Sequence, residues 1–398
     1  MTALTTGSEA WWQSKSGPDL KPENGKFRVT FWWRDPNGTQ TSSPIKHVWL
    51  NITGVTDHHQ NARPQSLKRI PDTDVWQWEG EFSPAWRGSY CFIPSVNEND
   101  FADAVFEGES PDRMALREGW GKLLPHAVSD PLNPQSWRGG RGHAVSALEM
   151  PGAPVQPGWD RPDTPHHAPV CIDWESARLK NRRRVWIFTT GEENPDRPLA
   201  VLLDGQFWAE SMPVWPALAA LTREGKLPPA VYVLIDVIDT AHRSRELPCN
   251  PDFWLAVQEE LLPQIQRIAP FSDRADRTVA AGQSFGGLSS LYAGLNWPQR
   301  FGCVLSQSGS YWWPHRGAQQ EGLLIGQLKA GEKTARGLRI VLEAGRNEPL
   351  IFRVNQAIYA ELHAQQVYWR QVDGGHDALC WRGGLTQGLM TLWQPLIQ

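Results

Sequence analysis

The stretch VAAGQSFGGLSS, Val279 to Ser290, sets one serine between an apolar run and a helix-like run, with glycine two residues before it and two after. In the longer RTVAAGQSFGGLSSLYAGLNWP, Arg277 to Pro298, the order reads strand, turn, helix. Gly282-Gln283-Ser284-Phe285-Gly286 thus fits G-x-S-x-G in the context that gives the motif meaning. The glycines leave room for neighbouring backbone, and the serine hydroxyl stands clear at the carboxyl edge of a sheet. A glycine-rich connection that happens to hold a serine is the plain alternative, and five letters alone do not exclude it.

The flanking grammar supports the elbow. RRRVWIFTT, PLAVLLDG, AVYVLIDVID, LRIVLEAGRNE and VYWRQVDGGHD read as strands, several of them continuously apolar. PVWPALAALTREGKL, DFWLAVQEELLPQIQRIAP and IFRVNQAIYAELHAQ read as helices; in the second, Phe253, Leu255 or Val257, Leu261 and Ile265 share one side. Apolar strands alternating with helices predict a mainly parallel sheet covered on both faces.

A serine nucleophile needs a base and an acid, which on this scaffold follow in the order serine, acid, histidine. His376 in VDGGHD lies just beyond a strand, with Gly374 and Gly375 bending the loop. His363, in a helical pattern, and His166 and His167 read as surface residues. For the acid, Glu348 in LEAGRNEPLI follows its strand by a short turn. Glu343 competes but sits nearer the strand, and Asp373 and Asp377 are too close to His376 in sequence to orient it. In this reading His376 takes the Ser284 proton during attack on an ester carbonyl, and Glu348 fixes the tautomer and stabilises the imidazolium. The oxyanion needs two preorganised N–H donors: Phe285 from the elbow, and Gln206 from LLDGQFW, where Gly205 permits the turn.

The first 150 residues differ. KFRVTFWWRD, HVWLNI, VWQWEGEF and GSYCFIP are short aromatic and β-branched runs bounded by Pro, Asn, Asp and Gly, and Trp76, Trp78 and Phe82 alternate with polar neighbours. This predicts an N-terminal β-sandwich over residues 1–150. A stretch of little periodicity then leads to Met150–Pro169, which carries six Pro in 20 residues and reads as a linker over 151–169. Residues 170–398 form the α/β-hydrolase domain.

Composition excludes several classes. The chain has 398 residues, 40% hydrophobic and 21% charged, with formal net charge −4, so nucleic acid is not an expected partner. The 22 Trp are mostly core residues on this reading, with stacking on flat ligands the alternative. Five scattered cysteines without C-x-x-C spacing predict neither a disulfide framework nor a metal site. No signal-like or membrane-spanning run is evident, and a cytoplasmic location is expected.

LLDGQFW, IDTAHRSRELPCNPDFWLAVQEELLP, AGQSFGGLSSL, LEAGRNEPLI and DGGHDALCW together resemble the enterobactin (enterochelin) esterase family, within the esterase D group of α/β hydrolases. FRVTFWWRDP and VWLNITGVTDHH resemble that family's additional N-terminal domain, so the resemblance covers nearly the whole chain. It implies hydrolysis of the serine esters of the ferric enterobactin trilactone to 2,3-dihydroxybenzoylserine units. Iron then enters as part of the substrate, with no cofactor, and the partners are ferric enterobactin and its linear products. An acidic protein accepting an anionic, flat, aromatic complex needs local arginines. Arg243 and Arg245 in AHRSREL, after a strand end, are the substrate-binding candidates, unless either is tied to Glu246 or Asp252. Two alternatives stand beside this reading: a general or feruloyl-type carboxylesterase, and a catalytically inactive siderophore- or carbohydrate-binding protein.

Overall fold

The structure, a computed structural model, describes residues 3–104, 113–139, 142–316 and 321–397. The chain divides into two compact units. One comprises Met1–Pro154 with Arg346–Pro349 and Asp373–Cys380; the other comprises Val155–Gly345, Leu350–Val372 and Trp381–Gln398. Two loops from the C-terminal half of the sequence, those bearing Glu348 and His376, therefore belong to the first unit rather than to the second.

The first unit is built on β1 (Asp19–Glu23), β2 (Lys26–Arg34), β3 (His47–Ile52), β4 (Gln65–Arg69), β5 (Val75–Phe82), β6 (Arg87–Ser95), β7 (Ser136–Arg138) and β8 (Ala144–Glu149). They form one antiparallel ladder in the order β1-β2-β5-β4-β3-β6-β8-β7. The four aromatic runs are β2, β3, β5 and β6. β1, β4 and β8 are too polar or too small-residued to stand out in sequence. The stretch read as lacking periodicity holds the helix Arg113–Leu123, which buries Leu116, Trp120 and Leu123 at helical spacing. Residues 151–169 contain neither helix nor strand.

The second unit carries β9 (Val170–Ser176), β10 (Asn181–Thr189), β11 (Leu199–Leu202), β12 (Val231–Ile235), β13 (Thr278–Gln283), β14 (Cys303–Gln307), β15 (Arg339–Gly345) and β16 (Gln366–Val372), ordered β16-β15-β14-β13-β11-β12-β10-β9. β16 through β12 are parallel, and β10 runs antiparallel to both β12 and β9. Every residue of β11, β12, β13 and β14 is buried, which explains the unbroken apolar character of β11 and β12, whereas the edge strand β16 is half exposed and alternates. In the segment 251–268 it is Val257, not Leu255, that joins Phe253, Leu261 and Ile265 in the core. Among the described residues, no helix is long and apolar enough to cross a membrane.

Candidate active site

β13 ends at Gln283, and the helix Phe285–Asn296 starts two residues later, so Ser284 must turn the chain alone. It does so at φ 60° and ψ −121°, a conformation that costs a non-glycine residue about 1–3 kcal/mol and persists only when its surroundings enforce it. The enforcement is visible. The Ser284 N–H donates to the Gln307 carbonyl at 3.0 Å, and the Ser284 carbonyl accepts from Gly287, Leu288 and Ser310, each at 3.1 Å. A Cβ on Gly282 would strike the Gly286 backbone, and one on Gly287 would lie 2.8 Å from the Ser306 hydroxyl. Gly282 is thus required by backbone contact within the elbow and Gly287 by close packing on the neighbouring strand end, whereas Gly286 has ordinary room for a side-chain carbon. Ser284 Oγ, partly exposed, lies 3.4 Å from Ser310 Oγ.

Phe285 supplies the first amide of its helix and Gln206 lies in the first turn of another, positions whose N–H groups lack acceptors within the helix. The Gln206 side chain accepts from Val237 N–H at 3.2 Å. A buried chain of amides ties this loop to the elbow. Trp208 Nε1 donates to Gln283 Oε1 at 3.0 Å, Gln283 Nε2 to Gln307 Oε1 at 2.9 Å, and Gln307 Nε2 to Glu343 Oε2 at 2.7 Å. Glu343 also faces Arg370 Nε at 3.0 Å. Its oxygens serve the sheet, which removes Glu343 as a partner for histidine. The sequence reading missed the roles of Gln283 and Gln307; the available signal was a glutamine closing each of the largely apolar runs TVAAGQ and CVLSQ.

Arg243 is neither free nor paired as expected. It forks onto Asp204, Nε to Oδ1 at 2.8 Å and the terminal nitrogen to Oδ2 at 3.0 Å, with its guanidinium 5.5 Å over the Phe285 ring. Glu246 instead binds Arg183, and Asp252 faces Arg178. Arg245 is exposed, with no carboxylate in ion-pair range among the described residues. Two further side chains were not singled out from sequence: Trp312, 5.8 Å from Phe285 ring to ring, and Arg316, whose guanidinium sits 4.7 Å over Trp312.

In the first unit, His376 Nδ1 lies 2.5 Å from Glu348 Oε1, with the carboxylate fully buried. The loops bearing them are joined by Asn347 N–H to Gly374 O at 3.0 Å. Gly375 packs on the Gly54 backbone, where a side chain has no room, and a Cβ on Gly374 would collide with Cys380 Sγ. The neighbouring aspartates are engaged elsewhere. Asp373 accepts from Ser83 and pairs with Arg346. Asp377 accepts from the Ser89 amide and hydroxyl and caps Leu379; burial raises its pKa, and the Ser89 bonds offset that only in part. His166, His167 and His363 are exposed, and His363 lies just past its helix.

Among the described residues, one trio brings potential metal ligands within 4.8 Å of one another: Asp57, His58 and His59. Its carboxylate is already occupied. Asp57 Oδ2 bonds His59 Nδ1 at 2.9 Å, and Oδ1 accepts from Gly54 N–H and Gln60 Nε2.

A mainly parallel sheet with a strained serine at a strand-to-helix turn is the architecture of α/β-hydrolase-type esterases. The family described as putative esterase matches residues 176–392, and that described as enterochelin esterase, N-terminal, matches residues 28–159. The chain is 68% identical over 400 residues to the iron(III) enterobactin esterase of Escherichia coli strain K12, covering 100% of this chain and 99% of that protein. The ferric enterobactin esterase from Salmonella typhimurium superposes with a TM-score of 0.94 at 69% identity, over 98% of this chain and 100% of that one. The enterobactin esterase from Shigella flexneri, solved in the presence of enterobactin, gives 0.90 at 67% identity, over 99% and 100%. The chain belongs to the iron(III) enterobactin esterase family.

Proposed function

We propose that this esterase hydrolyses the serine ester bonds of ferric enterobactin, using Ser284 as nucleophile, His376 as general base and acid, and Glu348 as the group that orients His376. The observation that carries the chemistry is Ser284 at φ 60° on its elbow. The 2.5 Å His376–Glu348 pair supports the assignment of base and acid. The substrate is supported by the relatives: one is named for iron(III) enterobactin, and another was solved in the presence of enterobactin.

Ser284 Oγ attacks the ester carbonyl carbon while His376 Nε2 removes its proton. Glu348, holding Nδ1–H, stabilises the imidazolium without taking the proton. The oxyanion is received by the Phe285 N–H and, from the other loop, the Gln206 N–H. Collapse expels the alkoxide of the neighbouring serine unit, which takes the proton back from His376. Water, activated by the same imidazole, then hydrolyses the acyl-enzyme. Each cycle cuts one ester of the ring, ending at 2,3-dihydroxybenzoylserine units. Iron is cargo of the substrate, and no resident cofactor takes part. Cutting the tether among the catechols lowers their effective concentration around iron and so weakens its retention.

Arg243, Arg245 and the Phe285–Trp312 pair are the groups suited to an anionic aromatic ligand. Arg243 acts as a fixed positive wall held by Asp204, and Arg245 as a mobile one. We read the N-terminal ladder as a β-sandwich folded across β4, which pairs with β3 on one side and β5 on the other; Phe31 and Trp76 share one core with Leu50 and Phe92. We place the enzyme in the cytoplasm, where five cysteines outside any disulfide among the described residues suit a reducing compartment. Ser284→Ala in the folded chain is expected to abolish release of dihydroxybenzoylserine from ferric enterobactin, followed by chromatography. Undiminished turnover would sink the assignment.

A further inference from the structure

An oxyanion hole assembled from two loops works when the loops keep a fixed separation, because its N–H groups must already be in place as charge develops. Here the two loops follow adjacent strands of the second unit. β11 and β13 run side by side as far as Leu202 and Ala281, and Leu203 N–H donates to the Ala281 carbonyl at 3.0 Å. Beyond it one chain continues into Asp204-Gly205-Gln206 and the other into Gln283-Ser284-Phe285.

One guanidinium touches both. Arg243, on the helix Thr240–Glu246, donates from Nε to Asp204 Oδ1 at 2.8 Å and from a terminal nitrogen to Asp204 Oδ2 at 3.0 Å. That terminal nitrogen also donates, at a longer 3.4 Å, to the Gln283 carbonyl, and the guanidinium lies 5.5 Å over the Phe285 ring. Asp204 stands two residues before Gln206, and Gln283 two residues before Phe285, so the same side chain grips both chains at the same step before each donor. A planar fork fixes direction as well as distance, which a point charge does not. Asp204 adopts φ 51°, in the left-handed region that aspartate enters more readily than most residues, and its carbonyl accepts from Phe207 N–H at 3.0 Å to start the turn that carries Gln206. Gly205 is packed so closely on β12 that a Cβ would come 2.4 Å from Ile235 N. The fork is thus a second anchor, one residue before the first.

We infer that Asp204 and Arg243 are positioning residues for the oxyanion hole: their fork, reaching Gln283 as well, sets the loop of Gln206 against the elbow of Ser284. The inference rests on the proposed roles of Ser284, Phe285 and Gln206. It gives Arg243 a task separate from attracting an anionic substrate, and it gives Asp204 a task of its own. Both act through the two amides and are not placed on the reacting atoms.

The test uses the full chain with Asp204→Asn, Arg243→Lys and the double variant. Asparagine suits φ 51° but breaks the charged fork, and lysine keeps the positive charge without a fork. Turnover of ferric enterobactin is resolved into kcat and KM. Inhibition by phenylboronic acid, whose boron accepts Ser284 Oγ and presents an oxygen to the two amides, is compared with inhibition by the product 2,3-dihydroxybenzoylserine, which presents no oxyanion there. For each single variant we expect kcat to fall about ten- to a hundredfold without a rise in KM, the size that a small misplacement at a reacting centre produces. Boronate inhibition should weaken by about the same factor, and product inhibition should stay within about threefold of the parent chain. The double variant should lose no more than about threefold beyond the less active single one, because groups that act as a unit are not additive. Should one single variant not fold, the other carries the test through the two inhibitors. Full kcat in Arg243→Lys, a lowered KM with intact kcat in Asp204→Asn, equal weakening of both inhibitors, or additive losses in the double variant would each overturn the inference. Turnover that survives Ser284→Ala would strike the elbow reading itself and remove the inference with it, which separates the two failures.

Discussion

Glu343 and Glu348 stand at the end of one strand and just beyond it, are the same residue type and are both buried, yet they belong to different compact units and do different things. Glu343 accepts from the Gln307 amide and faces Arg370, partners that do not change charge near neutral pH. Glu348 accepts from His376, whose charge changes in every catalytic cycle of the proposed mechanism. The two buried carboxylates differ in that one partner, the histidine, titrates near neutral pH and the others do not. Burial alone does not separate the two.

The comparison breaks most readily at Glu348. Glu348→Gln should lower kcat by about 10³–10⁴-fold with little change in unfolding midpoint, because an amide cannot stabilise the imidazolium or select its tautomer. Steady-state kinetics on ferric enterobactin checks this, and a loss under tenfold would remove Glu348 from the triad. Glu343→Leu should do the reverse. Gln307 and Arg370 lose their shared acceptor, costing about 1–3 kcal/mol in urea unfolding, with kcat reduced far less than in Glu348→Gln.

A third buried carboxylate sharpens the point through pH. Burial alone would raise the Asp57 pKa, but the bond and charge of His59, with His58 and the Gly54 amide, hold it at about 2 in the folded chain, against about 3.9 unfolded. The folded state therefore binds fewer protons between those values, so the stabilisation is complete above about pH 4 and disappears as pH falls towards 2. Relative to Asp57→Asn, the parent chain should lose stability as pH falls from about 4 towards 2, followed in urea titrations at stepped pH. The smallest effect is expected at Arg245, exposed and, among the described residues, outside ion-pair range of a carboxylate. Arg245→Ala should raise KM for the anionic substrate by about two- to fivefold and leave the unfolding midpoint unchanged.

Much of the site was legible because its local signals are strong. The elbow announces itself through a glycine-flanked serine between strand and helix, of which Gly282 is required by backbone contact, and His376 through a strand end followed by Gly-Gly. The central strands β11 and β12 were visible because burial on both faces leaves them apolar throughout, whereas β14, with Ser306 and Gln307, and β1, β4 and β8, with polar or small residues, were not. Arg243 was singled out by its place after a strand, but its partner was not foreseen: the candidates were sequence neighbours, and Asp204 lies 39 residues away. Gln283, Gln307 and Trp312 escaped for a related reason. Each is an ordinary residue until its partner is known.

The sequence by itself determined the strand order of polar and apolar runs, the elbow, and the triad candidates, because these follow from local sterics and from burial pattern. Only the tertiary structure decided which glutamate meets the histidine, which acid holds Arg243, and that the loops of Glu348 and His376 group with the N-terminal unit. Those outcomes depend on long-range contacts, where side chains far apart in the chain compete for the same few polar atoms, and sequence spacing carries no record of who wins.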